Sequence, residues 1–522
     1  MPAETLSPFT ESETAPSKLE KDGTGKFIRD VFFANLPMPF QKIRTYLWLV
    51  VFSKAFGPSG FGIWALFQGT LGTALIITSM TQGNAMMRFL NRGRSREEKN
   101  HAFSSVLAAV SISSLVGALV LSAFSQQLSS LLFRDPRGRT VLILTAMILP
   151  LETYFEEMRG FLRARRLNRI WAFFTLGRQM PETFLLMAVA WWLMKSPIAA
   201  ITGYFCTALL AVCFGFLYLT LRQQVRLVKP NRAILRQYVP YGAALVPGAL
   251  ASTLSFAADR YLVGYYLDLR QVGIYSVCFT VSAIGFFFCG PLTDVLLPEM
   301  SALYDAGDWS QFYARFSGVQ KFVIGLAVGA TALLVAFPQQ ILRALTTGAF
   351  ASGGPTLAIL GMQGVFMSAV VLYSVMFYVR VRVWWTTAVW AGMGAIILVM
   401  DVFLLPRMGI AGAGVSQLVS SIAGAMFVIV LNWQLFRRTF RIVWVGQMGL
   451  ALLSVLLLAR LWPARSASFV DALAHILAGA VLFAIACLIT RYFRFEELAI
   501  LYKAFAVRSR RGAAAPDVPV KA

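Results

Sequence analysis

Acidic residues, histidines and long polar stretches are all scarce in this chain. Only 24 of its 522 residues are Asp or Glu, and charged residues of both signs make up 14%. The two histidines, His101 and His475, stand far apart with no metal-ligand or triad spacing around them. The five cysteines, Cys206, Cys213, Cys278, Cys289 and Cys487, all fall inside apolar runs. None has metal-ligand spacing, so five buried free thiols are expected, with neither disulfides nor a metal centre. A water-soluble chain of this length would divide into domains with polar surfaces, and no such stretch is present. Loops on one side of the chain's apolar runs reach only about 17 residues, too short for a folded catalytic domain. An enzyme is therefore not expected, and neither is a cofactor.

Hydrophobic residues are abundant, at 58% with a mean hydropathy of +0.67. One membrane crossing takes ~20 mostly apolar residues to span ~30 Å of hydrocarbon. About 14 such stretches follow one another at 41–57, 61–87, 102–125, 140–158, 170–194, 198–221, 240–263, 271–298, 319–338, 356–378, 384–405, 410–433, 443–462 and 470–490. The expected fold is an all-α polytopic membrane protein of about 14 transmembrane helices. Helix-stopping chemistry marks several ends: Gly57-Pro58, Lys195-Ser196-Pro197 and Pro463. The net charge of +23 is sorted by loop. Thirty-five of the 47 Lys and Arg lie in the termini and alternate loops, and nine lie in the loops between. The positive-inside rule then puts both termini in the cytoplasm of a multi-pass cell inner (plasma) membrane protein. Basic loops beside anionic headgroups explain the charge, so the bilayer is the expected partner and nucleic acid is not.

An internal repeat runs through the spans. Phe61-Gly62-Ile63-Trp64 matches Val272-Gly273-Ile274-Tyr275 at an offset of 211. Thr140-Val141-Leu142-Ile143-Leu144 echoes Thr356-Leu357-Ala358-Ile359-Leu360, and Ile198-Ala199-Ala200 echoes Ile410-Ala411-Gly412. The offset covers six spans, an even number, so both copies point the same way through the membrane. The expected division is a disordered tail at 1–30, a first lobe at 31–238, a second at 239–441, a helix pair at 442–492 and a tail at 493–522.

Four segments carry a family resemblance: Phe52 through Leu66 with its Gly57-Pro58-Ser59-Gly60 turn; Tyr238-Val239-Pro240 through Asp259-Arg260-Tyr261-Leu262 to Val272–Ser276; Leu297-Pro298-Glu299-Met300 with Gly307-Asp308; and Leu405-Pro406-Arg407-Met408-Gly409-Ile410-Ala411-Gly412-Ala413-Gly414. In this order and spacing they resemble the polysaccharide transporter branch of the multidrug/oligosaccharidyl-lipid/polysaccharide exporter superfamily. The resemblance implies two six-helix lobes in a V plus a C-terminal helix pair. It also implies a flippase moving undecaprenyl-diphosphate-linked oligosaccharides outward for O-antigen, capsule or exopolysaccharide, by alternating access. Glycan polymerase and chain-length machinery are the protein partners that such a role brings.

A diphosphate-sugar head cannot cross hydrocarbon unaided, so its carrier needs a polar, cationic cavity. Arg suits the diphosphate through its two-pronged, permanently charged guanidinium. The candidates are Arg44 and Arg178 inside spans, with Arg88, Arg260 and Arg380 near span ends. Arg178 sits ~12 Å into its span, where the alternative to cargo binding is an ion pair with Glu182 one turn on. Candidate coupling or charge-balancing acids are Glu152, Glu156, Glu182, Asp259 and Asp294. The competing readings are a multidrug or cation antiporter and a peptidoglycan-precursor flippase of the same superfamily.

Overall fold

The computed structural model describes residues 33, 35–90, 95–287, 289–382, 384–462 and 469–493. The tail expected at 1–30, all but Phe493 of that expected at 493–522, residues 91–94 and the loop holding Arg465 lie outside the described residues. Every regular element among the described residues is helical. In hydrocarbon each backbone N–H and C=O must be paired within its own segment, and a helix does this.

The first helix, α1 (Pro37–Ser79), consists of two arms. Gly57, at φ +65 and ψ −176, leaves the helical path, and Pro58 starts the second arm. The Trp64 ring lies 5.4 Å from Trp48 and 4.8 Å from Phe52. Trp48 and Trp64 would be ~24 Å apart along a straight helix, so the arms form a hairpin. Next come α2 (Gln82–Phe89), α3 (Arg96–Ala123), α4 (Arg137–Ala164), α5 (Asn168–Ala188), α6 (Pro197–Leu221), α7 (Arg232–Tyr266) and α8 (Leu269–Ser282). They are followed by α9 (Cys289–Asp305), α10 (Trp309–Ala336), α11 (Gly354–Val379), α12 (Trp384–Met408), α13 (Ile410–Leu431), α14 (Val443–Leu461) and α15 (Phe469–Ile489). Among the described residues eleven helices are long and apolar enough to cross a membrane, making this a multi-pass membrane protein. The hairpin α1 counts once among the eleven, and the charge-bearing α4 and α5 are not included.

Helices α1–α6 and α7–α13 form two groups with the same internal pairing. In the first group α2, α3 and α6 all pack on α4; in the second, α9, α10 and α13 all pack on α11. Each group has a broken helix at the corresponding place. Met80 and Thr81 interrupt the path from α1 to α2, and a 3-10 turn at Ala283–Phe286 follows α8. Glycines allow the close crossings. Gly83 faces Gly160 in the first group, and Gly285 faces Gly364 in the second.

The groups meet where the second arm of α1 lies against α8. A Cβ on Gly62 would overlap the Leu269 carbonyl oxygen and fall 3.1 Å from Gly273 N. A Cβ on Gly273 would overlap the Pro58 carbonyl oxygen and fall 3.0 Å from Gly62 N. The repeat offset relates 58 and 62 to 269 and 273, so the contact is reciprocal. The largest buried cluster spans this seam, with Phe52, Trp64 and Phe67 on one side and Ile274 and Tyr275 on the other. Helices α14 and α15 pair with each other, and α14 packs on α10.

Candidate functional site

Four charges from three helices meet inside the first group. Pro150 precedes Glu152 on α4, while Pro181 sits between Arg178 and Glu182 on α5. The i, i+4 spacing places Arg178 and Glu182 on one face. Arg178 Nε donates to Glu182 Oε2 at 3.1 Å, and Nη1 donates to Glu152 Oε2 at 2.9 Å. A short Nη2 bond to Glu152 Oε1 completes a two-pronged pair, and Tyr204 Oη of α6 is 3.4 Å from Nη2. Arg44 Nη1 on the first arm of α1 donates to Glu182 Oε1 at 3.0 Å. The Arg178 guanidinium lies 4.5 Å above the Phe155 ring, and that of Arg44 lies 4.5 Å above Trp48.

Two guanidinium cations and two carboxylates balance, which is how charge is tolerated in hydrocarbon. Their exposure differs. The Arg178, Glu152 and Glu182 side chains are at most 6% exposed, whereas Arg44 is 21% exposed. Arg178 is therefore occupied on both prongs. Among the described residues Arg44 holds one carboxylate, its Nε has no hydrogen-bond partner, and it stands at the edge of the cluster. Beside the cluster a cavity of about 590 Å³ lies between α5 and α6, with Phe155, Arg178 and Glu182 in its wall and Arg222 at one end. Gly177 and Pro181 keep the α5 side open, and the outward-facing Phe173, Leu210, Phe214 and Leu217 line the rest.

A second polar cluster lies in the other group. Asp259 on α7 is fully buried and accepts hydrogen bonds from Tyr275 Oη, Gln417 Nε2 at 2.9 Å and Arg260 N at 2.8 Å. Gln363 Nε2 donates to Gln417 Oε1 at 3.1 Å, extending the chain to α11 and α13. Asp401 on α12 is also fully buried, with Ser416 of α13 as a neighbouring hydroxyl, and among the described residues neither of its carboxylate oxygens has a hydrogen-bond partner within 3.5 Å.

The other candidates are scattered. Arg88 is exposed over the Tyr241 ring at 5.6 Å, and Arg380 ends α11. Arg260 lies over Phe279 at 5.2 Å, with its Nε buried and without a hydrogen-bond partner among the described residues. Glu156 pairs with Arg159 and stays out of the four-charge cluster. Asp294 falls in α9, but its side chain lies outside the described residues. His475 is buried with its ring nitrogens 2.7 and 3.2 Å from the carbonyl oxygens of Asp471 and Trp462. No group of three or more His, Cys, Asp or Glu placed to hold a metal occurs among the described residues. The expectation of five buried thiols fails for two of them, since Cys206 and Cys213 are exposed on α6. An apolar span can turn thiols toward lipid as readily as toward a core, because lipid tails are equally apolar. Tyr204, Phe155, Tyr275 and Gln417 were not legible as partners, because an uncharged side chain in an apolar run carries no signal of what it faces.

Among solved structures, the chain is similar to the lipid II flippase MurJ in an inward closed conformation. The TM-score is 0.70 at 15% identity, covering 87% of this chain and 98% of the other. It is also similar to a MATE family multidrug resistance transporter of the MOP superfamily in an inward-facing conformation. That match has a TM-score of 0.63 at 14% identity, covering 78% and 98%. A MOP superfamily transporter from Pyrococcus furiosus matches at 0.52 and 13% identity, covering 79% and 96%. At such identities the likeness is one of fold alone. No curated protein matches by sequence. The family model described as polysaccharide biosynthesis protein matches residues 28–304, from before α1 into α9 and over more than half of the chain, and the protein belongs to that family.

Proposed function

We propose that this protein carries a polyprenyl-diphosphate-linked glycan from the cytoplasmic to the external leaflet by alternating access of its two helix groups. The observation that carries this reading is family membership in polysaccharide biosynthesis combined with the fold of a lipid II flippase. Fourteen crossings follow when the two arms of α1 count separately and α4 and α5 are included. The basic loops then lie in the cytoplasm with both termini, and the lobes are 31–238 and 239–441, arranged as a V. The turns at Gly57 and Asp268 mark the external end, where the reciprocal glycine contact closes the path.

Within this reading Arg44 is the cation that meets the diphosphate, because it is the edge member of its cluster with donors to spare. Arg178, Glu152 and Glu182 position Arg44 and balance its charge. Arg88, Arg260 and Arg380 attract the headgroup along its route. Coupling falls to Asp259 and Asp401, two buried carboxylates in the second lobe, which take up a proton or a monovalent cation.

The family favours an oligosaccharide repeat unit of O-antigen, capsule or exopolysaccharide as cargo. The likeness to the lipid II flippase favours a peptidoglycan precursor. Both carry the same diphosphate and tail, so depletion of the protein followed by mass spectrometry of lipid-linked intermediates separates them. An accumulating repeat unit supports the first, and an accumulating peptidoglycan precursor with arrested growth supports the second. No accumulation of either would overturn the flippase reading.

A further inference from the structure

One buried carboxylate belongs to neither cluster. Glu157 on α4 is 1% exposed, and among the described residues its Oε2 has no hydrogen-bond partner. No ion pair reaches it among the described residues, whereas Glu152 is held by Arg178 and Glu156 by Arg159. Three contacts fix its surroundings. The hydroxyls of Thr78 and Thr153 are 3.2 Å apart, Gly83 crosses Gly160, and the Phe103 and Phe161 rings lie 4.7 Å apart. Thr153 and Gly160 flank Glu157 by about one turn on nearly the same side of α4. Glu157 therefore occupies the wedge between α2, α3 and α4, level with the helix break.

That break is strained. Met80 and Thr81 have φ of 46° and 48°, in the left-handed region that disfavours side chains, β-branched ones most of all. Gln82, the first residue of α2, is fully buried with its Oε1 unpartnered. No ion pair reaches the wedge from the surrounding elements among the described residues. Arg88 of α2 is exposed over the Tyr241 ring, the charges Arg96, Glu97, Glu98 and Lys99 lie in the first turn of α3, and His101 Nδ1 is 3.2 Å from the Lys229 carbonyl oxygen. Thr78–Met87 and Ser104–Ala123 contain no titratable side chain. The nearby part of α7 contributes Tyr238, its Arg232 and Arg236 being exposed. On the far side of α4, Arg178 and Tyr204 face Glu152. A bare carboxylate here would be buried without compensation, which is unfavourable for an ion. A metal ion would need several oxygen ligands, and no group of three or more His, Cys, Asp or Glu placed to hold one occurs among the described residues. A proton neutralises the group with no further ligand.

We propose that Glu157 is a proton-binding site of the first helix group, carrying its proton in the conformation described and releasing it when the wedge opens to water at the Met80–Thr81 break. Proton binding is measurable without cargo, so only its use in transport rests on the function proposed above.

The test uses full-length protein in lipid nanodiscs. Infrared difference spectra over a pH titration should contain the C=O band of a buried protonated carboxyl group. Glu157→Gln, which keeps the shape and neutrality of the protonated side chain, should remove that band and about one titrating proton per chain. It should also leave thermal stability unchanged, while Asp401→Asn leaves the Glu157 band in place. A band unchanged in Glu157→Gln would overturn the proposal, as would a marked loss of stability revealing a charge partner. Loss of the band in a protein that moves no glycan upholds the proton site and counts against the cargo alone.

Discussion

Gly62→Ala tests whether the reciprocal crossing is the external closure. The new methyl would overlap the Leu269 carbonyl oxygen and stand 3.1 Å from Gly273 N. Non-bonded carbon contacts settle near 3.5–4.0 Å, so the second arm of α1 and α8 must part by about 1 Å. Backbone atoms cannot rotate away as a side-chain end can. Overpacking of this kind costs about 1–3 kcal/mol. The cost falls only on the state in which the two arms touch, so it weakens closure without touching either lobe's interior. A shift of ~2 kcal/mol lowers the closed-to-open ratio about 30-fold, since 1.4 kcal/mol is tenfold. Gly273→Ala should do the same through Pro58, and the double variant should cost less than the two single ones summed, because one separation relieves both clashes. The assay is disulfide crosslinking of Ser59→Cys with Gln271→Cys, in a protein whose five native cysteines are replaced. In the parent, crosslinking should be efficient, stop export and be reversed by reduction. With Gly62→Ala it should fall by an order of magnitude. Undiminished crosslinking and normal export in Gly62→Ala would refute the closure, and so would a crosslinked parent that still exports.

Arg178→Ala strips the two-pronged partner from Glu152 and leaves buried carboxylate, a loss of about 3–5 kcal/mol, so the protein should fail to accumulate in immunoblots of membranes. Arg44→Ala should accumulate normally and lose export, with Lys restoring part of it, because charge returns but the fork does not; normal export would remove Arg44 from the cargo path. Asp401→Asn should leave the fold intact and abolish the response of transport in proteoliposomes to an imposed pH or sodium gradient, and an unaltered gradient response would free Asp401 of any coupling role.

How far the chain could be read without its fold differs from feature to feature. The hairpin at Gly57-Pro58 was legible because one glycine and one proline break a helix by local sterics alone. The i, i+4 pair of Arg178 and Glu182 was legible for the same reason, being a matter of helix geometry within one segment. Glu152 as the principal partner of Arg178 was not, since 26 residues and a loop separate them and only the packing of α4 against α5 brings them together. Arg178 was consequently expected to be available to cargo, and its prongs are already taken. The reciprocal contact of Gly62 and Gly273 stands between these cases. The repeat marked the two positions as equivalent, but that the two copies press on each other follows from the meeting of α1 and α8. Sequence by itself determined the helical, membrane-embedded class, the places where helices turn and the existence of two equivalent halves, because these depend on composition, sterics and periodicity along the chain. Tertiary structure decided which intramembrane charges are neutralised, by the four-charge cluster, and which have no ion-pair partner among the described residues, at Asp401 and Glu157. Neutralisation depends on distances between helices, and those are set by packing.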